Sequence, residues 1–130
     1  MALIVLDASV LMALLDPADA LHDAATAAIE EHAAEDLRIP ASAYSESLVG
    51  PARRGEADAA KGAVAALLLD VVPITARIAE EAAELRARHA KLRLPDALVI
   101  ATGVALEADR VITGDTAWQR LDKSVSVLRS

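Results

Sequence analysis

Hydrophobic and polar positions follow one another along the chain in a pattern that predicts short strands separated by helices. Short, continuous apolar runs are typical of strands that are covered on both faces. Leu3–Leu6 is such a run, and further short strands are predicted at Leu37-Arg38-Ile39, Val71-Val72 and Val111-Ile112. Val125 and Val127 alternate with serines and predict a last strand at the edge of the sheet.

Between these strands the sequence predicts helices over residues 10–15, 22–35, 41–49, 56–69, 75–89 and 96–107. Asp16-Pro17 and Gly50-Pro51 are expected to end the helices before them. The clearest helical period places Ile78, Ala82 and Leu85 on one face. Strands and helices that alternate with short connections predict one α/β domain over residues 1–130. Its sheet is expected to be mostly parallel, with helices on both faces.

Length and composition agree with a single folded domain. The chain has 130 residues, of which 55% are hydrophobic and 25% charged, enough to build a core. The sequence contains no cysteine, which excludes disulfides and suits a cytoplasmic protein. The apolar N-terminus has no basic start and is interrupted by Asp7, so it predicts a strand rather than a signal peptide. The longest apolar stretch, residues 97–106, is too short to cross a bilayer, so no membrane partner is expected.

The net charge of −7 argues against a protein that coats nucleic acids through lysine and arginine. It leaves open a nuclease in which a metal ion bridges acidic side chains to phosphate.

Four acidic residues lie where a parallel sheet places its active site, beyond the carboxyl ends of strands or near the starts of helices. They are Asp7, Glu46, Asp96 and Asp115. Together with nearby hydroxyls they would form an all-oxygen environment, which favours Mg²⁺ or Mn²⁺ over zinc. Such an ion suits phosphoryl chemistry.

Each acid also has a purely structural explanation. Asp7 and Asp115 could cap helices, and Asp96 could be favoured by a helix dipole. Glu46 is harder to explain in this way, because Ser42 is the expected cap. Glu46 shares a small, apolar helix side and is expected to face the protein body, where it would need a cation. No Lys or Arg lies close in sequence to Asp7 or Asp115.

Four motifs in series resemble a known family. They are Asp7-Ala8-Ser9-Val10, then Ser42 with Glu46, then Leu94-Pro95-Asp96-Ala97-Leu98, and finally Thr113-Gly114-Asp115 with Trp118. In this order and spacing they resemble PIN-domain nucleases, and more closely the VapC-type toxins of bacterial toxin–antitoxin pairs. The resemblance covers essentially the whole chain.

The resemblance implies an endoribonuclease whose four acids bind Mg²⁺ or Mn²⁺ and cleave RNA. The matching catalytic and metal-binding positions are Asp7, Glu46, Asp96 and Asp115, and the supporting hydroxyls are Ser9 and Thr113. The resemblance also implies a small cognate antitoxin and a homodimer. Trp118 replaces the usual Phe, Ala90-Lys91 replaces a usual Gly, and Gly103 stands where Ala is common, but no metal ligand is lost.

Six basic residues are candidates for contacts with RNA phosphates, or else a solvated surface. They are Arg53, Arg54, Arg86, Arg88, Lys91 and Arg93. His22, His32 and His89 lack the spacing of metal ligands and are expected at a surface or interface. Core packing is the expected role of Tyr44 and Trp118.

Other classes of α/β protein remain open at this point. A haloacid-dehalogenase-like phosphatase would require a second acid at position 9, where this chain has Ser9. A receiver domain would require paired acids after the first strand and a lysine after a late strand, and Lys123 is badly placed for that role. A catalytically silent interaction module is disfavoured by the intact set of four acids.

Overall fold

The computed structural model describes residues 1–130 as one α/β domain. The strands are β1 (Leu3–Leu6), β2 (Asp36–Pro40), β3 (Asp70–Val72), β4 (Arg110–Thr113) and β5 (Val125–Val127). The helices are α1 (Ala8–Leu15), α2 (His22–Glu31), α3 (Ala41–Arg53), α4 (Ala57–Ala66), α5 (Ala76–Arg88) and α6 (Leu94–Ala105). A short 3₁₀ turn covers Thr116–Trp118. The predicted α/β class and parallel sheet are confirmed.

The five strands form one sheet in the order β3-β2-β1-β4-β5, and every neighbouring pair is parallel. The order reverses between β1 and β4, where connections lead to opposite sides of the sheet. A parallel sheet opens a crevice at such a switch point, beyond the carboxyl ends of its strands. This edge is therefore the place where polar residues that follow β1 and β4 come together.

The core lies on the central strand. Ile4, Val5 and Leu6 are each at most 1% exposed, although successive side chains of a strand point to opposite faces. Both faces of the sheet are therefore covered. The helix α6, expected to be buried, contributes Val99 and Ile100 to the same core. None of the helices is both long enough and apolar enough to span a bilayer.

Gly103 lets α6 approach the sheet closely. A Cβ atom added at this position would overlap the Cγ2 atom of Val111 in β4. Val111 is fully buried and its branched side chain is stiff, so it has little room to move. The glycine is thus required by the packing of the helix on the strand.

Two of the predicted helix ends were wrong by four residues, and the helix expected over residues 56–69 ends at Ala66. The helix expected over residues 41–49 continues to Arg53 with Pro51 inside it. Pro51 costs only one backbone hydrogen bond so near the helix end, and its ring is buried. The helix expected over residues 22–35 ends at Glu31, because the chain must turn for Asp36 to pair its N–H with the carbonyl of Ala2 at 2.9 Å.

Candidate active site

Asp7 is the most buried of the four acids, at 8% exposure. The carboxylate follows β1 directly and occupies the N-cap position of α1, but it makes no capping hydrogen bond to the helix backbone. Instead its Oδ2 atom accepts from Ser9 Oγ at 2.7 Å and from Thr113 Oγ1 at 2.9 Å. The other oxygen, Oδ1, accepts no hydrogen bond within the chain. The two hydroxyls thus fix the carboxylate and leave one oxygen for a ligand.

Thr113 extends this arrangement to the next acid. Its side chain is fully buried at the end of β4, and its Oγ1 accepts from the backbone N–H of Asp115 at 3.0 Å. The Asp115 carboxylate accepts from the backbone N–H of Ala117 at 2.9 Å. The capping explanation therefore holds for Asp115, although the residue is exposed at the same edge of the sheet as Asp7.

Ser9 connects the start of α1 to the segment that follows β4. Its hydroxyl donates to Asp7 and accepts from the backbone N–H of Gly114 at 2.9 Å. Ser9 and Thr113, the two hydroxyls expected to support the site, thus both donate to Asp7, and their role in metal binding stays a prediction. The bonds tie the first turn of α1 to the segment after β4.

Asp96 lies in the first turn of α6, where it forms an ion pair with Arg93 (Nε to Oδ2, 3.6 Å). Burial raises the pKa of Asp96, the Arg93 charge opposes that rise, and repulsion from Asp7 and Asp115 adds to it. Sequence reasoning missed this pairing. The spacing of three residues was the available signal, since residues i and i+3 are neighbours on a helix surface.

Glu46 extends from α3, whose buried face is made by Ala43, Ser47 and Pro51. The expectation that Glu46 faces the protein body was wrong, because the residue lies on the exposed flank of the helix. Partial burial nevertheless raises the pKa of Glu46, and repulsion from Asp7 and Asp96 raises it further. Ser42 is not the cap either. It lies inside α3, and its buried Oγ has no hydrogen-bond partner.

The electrostatic couplings link all four acids, because Asp96 senses Asp7 and Asp115 while Glu46 senses Asp7 and Asp96. As the side chains stand, no three Asp, Glu or His groups are close enough to share one ion. The all-oxygen donor set fits a hard divalent cation. Convergence of all four acids on one metal ion stays a prediction.

Two cavities border the acids. One, of about 340 Å³, is lined by Glu46 together with Asp16, Asp19 and Arg54. The other, of about 470 Å³, is lined by Asp96 and Asp115 and by residues of the turn between α5 and α6. Glu46 therefore borders one cavity, and Asp96 and Asp115 border another cavity of different charge.

The six basic candidates occupy different surroundings. Arg93 and Lys91 line the larger cavity, and Arg54 lines the smaller one while pairing with Glu56 at 3.5 Å. Arg86 donates from Nε to the carbonyl of Leu92 at 3.2 Å and so braces the turn. Arg53 and Arg88 are exposed and form no ion pair. Contact with RNA stays a prediction for all six.

The sequence predicts a core position for the two aromatic side chains and a surface or interface position for the three histidines. Trp118 is 1% exposed and Tyr44 packs on the core, as expected. His22 is half-buried, and its Nδ1 lies 2.7 Å from the carbonyl oxygen of Ala13. His89 also lines the larger cavity, which sequence reasoning missed because cavity walls have no linear signature.

The family model for the PIN domain matches residues 4–124. The chain is a PIN-domain protein. The match covers the segments that carry all four acids, and no curated protein sequence matches the chain.

Solved structures share the fold of this PIN domain. A toxin–antitoxin complex from Klebsiella pneumoniae is 24% identical with a TM-score of 0.78, covering 98% of this chain and 97% of that chain. VapBC2 from Rickettsia felis, bound to a promoter DNA fragment, is 14% identical with a TM-score of 0.78, covering 98% and 99%. The sarcin–ricin-loop-cleaving toxin VapC20 from Mycobacterium tuberculosis is 24% identical with a TM-score of 0.70, covering 88% and 92%.

Proposed function

We propose that the protein is a metal-dependent endoribonuclease that acts as the toxin of a toxin–antitoxin pair. The observation that carries this proposal is the Asp7 carboxylate, buried at the switch point with one oxygen held by two hydroxyls and the other without a partner. A buried carboxylate with a free oxygen is costly unless a cation or proton compensates it. Glu46, Asp96 and Asp115 add negative charge near this carboxylate, and that charge attracts a divalent cation.

The ligands proposed for Mg²⁺ or Mn²⁺ are Asp7, Glu46, Asp96 and Asp115. When bound, such an ion activates water and stabilises the charge that develops on phosphate. Ser9 and Thr113 hold Oδ2 of Asp7 by two hydrogen bonds, so Oδ1 would be the oxygen available to such an ion. Arg93, which is exposed and held to Asp96 across 3.6 Å, is free to turn toward a phosphate once a cation occupies the acids.

The proposed substrate is RNA and the proposed protein partner is a small antitoxin. Support comes from the structures of similar fold, which include a toxin–antitoxin complex and a toxin that cleaves the sarcin–ricin loop. Met12 and Val49 are exposed apolar residues, at 49% and 46%, and offer contact area for a partner. A homodimer is part of the same proposal, and light scattering of the purified chain tests it.

The decisive experiment is RNA cleavage by the purified chain in Mg²⁺ or Mn²⁺ and in chelator. Asp7→Asn should lower cleavage by about a hundredfold or more. Mutating even a residue that only hydrogen-bonds to a metal ligand typically lowers metal affinity or activity by about 10–100-fold. Asp23→Asn, an exposed acid of α2 without an ion pair, is the matched control and should retain full activity. Equal activity of both variants, or cleavage that persists in chelator, would contradict the proposal. No cleavage by the wild type would favour a silent interaction module.

A further inference from the structure

The larger cavity beside Asp96 and Asp115 has features that the cleavage reaction itself does not use. We propose that this cavity binds one nucleotide of the RNA strand next to the bond that is cut, and so determines which nucleotide is accepted there. The proposal rests on the proposed nuclease function and adds to it the position at which sequence is read.

The size and lining of the cavity suit a nucleotide. Its volume of about 470 Å³ is within the range of small-molecule sites, about 300–1,000 Å³. Apolar side chains of Leu92, Trp118 and Leu121 line it, while His89 and Lys91 add polar groups. A nucleobase presents the matching chemistry, because it has apolar faces and a polar edge that is read by a few hydrogen bonds.

Charge distinguishes this cavity from the one that contains Glu46. The smaller cavity sets Asp16, Asp19 and Glu46 against the single cation Arg54. The larger cavity carries Lys91 and Arg93 on one wall, and its two acids belong to the proposed metal site. Once a cation compensates those acids, the wall is positive and attracts phosphate. Charge complementarity therefore places an RNA strand in the larger cavity.

The walls of the larger cavity are held in place before any ligand arrives. On one side, Leu92 N–H donates to the carbonyl of His89 at 3.0 Å, and Arg86 Nε binds the Leu92 carbonyl at 3.2 Å. On the other side, Leu121 N–H donates to the carbonyl of Trp118 at 2.9 Å. A preformed site loses less entropy on binding, which suits a pocket that selects among similar ligands.

Trp118 supplies both a further observation and a probe. Its buried Nε1 has no hydrogen-bond partner in the chain, although such a donor is normally satisfied. It is also the only tryptophan of the sequence, so tryptophan fluorescence reports on the surroundings of this one residue, which lines the cavity.

The test is a fluorescence titration of the wild-type protein in Mg²⁺ with each of the four nucleoside monophosphates, which carry a base and a phosphate but no bond that a nuclease could cut. Saturable quenching that differs among the four bases is expected, with inorganic phosphate giving none. Ala117→Leu, which fills the cavity from an exposed position, should weaken binding at least tenfold. Ala83→Leu, on the exposed outer part of α5, is its control and should bind as before.

A second variant makes the test independent of cavity filling. Lys91→Gln should lower the slope of log affinity against log salt by about one, as expected for one lost phosphate contact. Lys61→Gln changes a lysine of α4 that does not line this cavity, and it should leave the slope unchanged.

The outcomes separate the two proposals. RNA cleavage by the wild type without base-dependent quenching would overturn the nucleotide site and leave the nuclease. Quenching without any cleavage by the wild type would overturn the nuclease, and equal quenching by inorganic phosphate would overturn the nucleotide site.

Discussion

Thr113 Oγ1 connects two of the acids, because it donates to Oδ2 of Asp7 at 2.9 Å and accepts from the backbone N–H of Asp115 at 3.0 Å. Asp7 directly follows β1, and Thr113 is the last residue of β4. These two strands are parallel neighbours, and their register pairs Leu6 with Ile112. One buried hydroxyl thus sets the position of a carboxylate and of the chain segment that carries another.

Thr113→Val keeps the shape of the side chain and removes the hydroxyl. We expect a loss of about 1–3 kcal/mol in the free energy of unfolding, because buried partners lose a hydrogen bond. Cleavage should also fall, since Asp7 is less well oriented. Urea unfolding and cleavage assays measure both effects. Thr113→Ser keeps a hydroxyl and should therefore retain most of the stability and most of the cleavage activity. Thr26→Val removes a hydroxyl that has no hydrogen-bond partner and should change stability by less than about 0.5 kcal/mol. A fully active Thr113→Val protein would show that Ser9 alone orients Asp7.

Asp96→Asn removes one charge from a group of acids that repel one another. Because the pKa of Asp96 is raised in the folded state, the folded chain binds this proton more tightly than the unfolded chain does. Ionised Asp96 therefore lowers stability above its folded pKa, and this loss disappears as pH falls through that pKa toward the ordinary range of about 4. In chelator at pH 7, Asp96→Asn should be at least as stable as the wild type, with the difference closing in acid.

The same pair of proteins tests the metal. A cation that binds the folded site should raise the melting temperature of the wild type more than that of Asp96→Asn. Differential scanning calorimetry in chelator and in millimolar Mn²⁺ measures both shifts. A variant that is clearly less stable than the wild type in chelator would identify Asp96 as a structural acid. Loss of the Arg93 pair alone cannot produce that result, because an ion pair with so exposed an arginine contributes little.

Gly103→Ala and Gly62→Ala should shift stability in opposite directions. Alanine favours a helix over glycine by about 1 kcal/mol, which is the expected gain at Gly62, where an added Cβ meets nothing within 4 Å. At Gly103 the added Cβ overlaps Val111, so overpacking of about 1–3 kcal/mol should exceed that gain. Thermal unfolding of the two variants gives the comparison. Stabilisation of both would mean that α6 can move away from β4 at little cost.

Arg86 and Arg88 lie two residues apart in α5 but should differ in their effects. Arg86→Gln removes the hydrogen bond to the Leu92 carbonyl and should cost about 0.5–1.5 kcal/mol of stability. Arg88→Gln changes an exposed residue without an ion pair and should stay within about 0.5 kcal/mol. Chemical denaturation distinguishes them. Equal costs would remove the assigned role of Arg86 in bracing the turn.

The hydrophobic pattern was sufficient to predict the strands, because fully covered strands are continuous apolar runs and β1 is such a run. It failed at Pro51, since a buried proline near a helix end depends on tertiary packing rather than on local propensity. The positions of Asp7 and Asp115 followed from the strand ends. The direction of Glu46 and the pairing of Arg93 did not, because both depend on how the starts of helices meet the neighbouring elements.

The position of β1 between β2 and β4 also determines when the candidate site can form while the chain is being synthesised. The hydrogen bond from Thr113 to Asp7 closes a loop of 106 residues, one of the longest the chain permits. Contacts so distant in sequence form late and slowly, after most loop-closure entropy has been lost. Until residues 110–113 leave the ribosome, one edge of β1 has no strand to pair with and Asp7 has no threonine beside it. A nascent chain that ends before residue 110 therefore carries three of the acids without the framework that holds them, and the site can assemble only after Thr113 and Asp115 have been added.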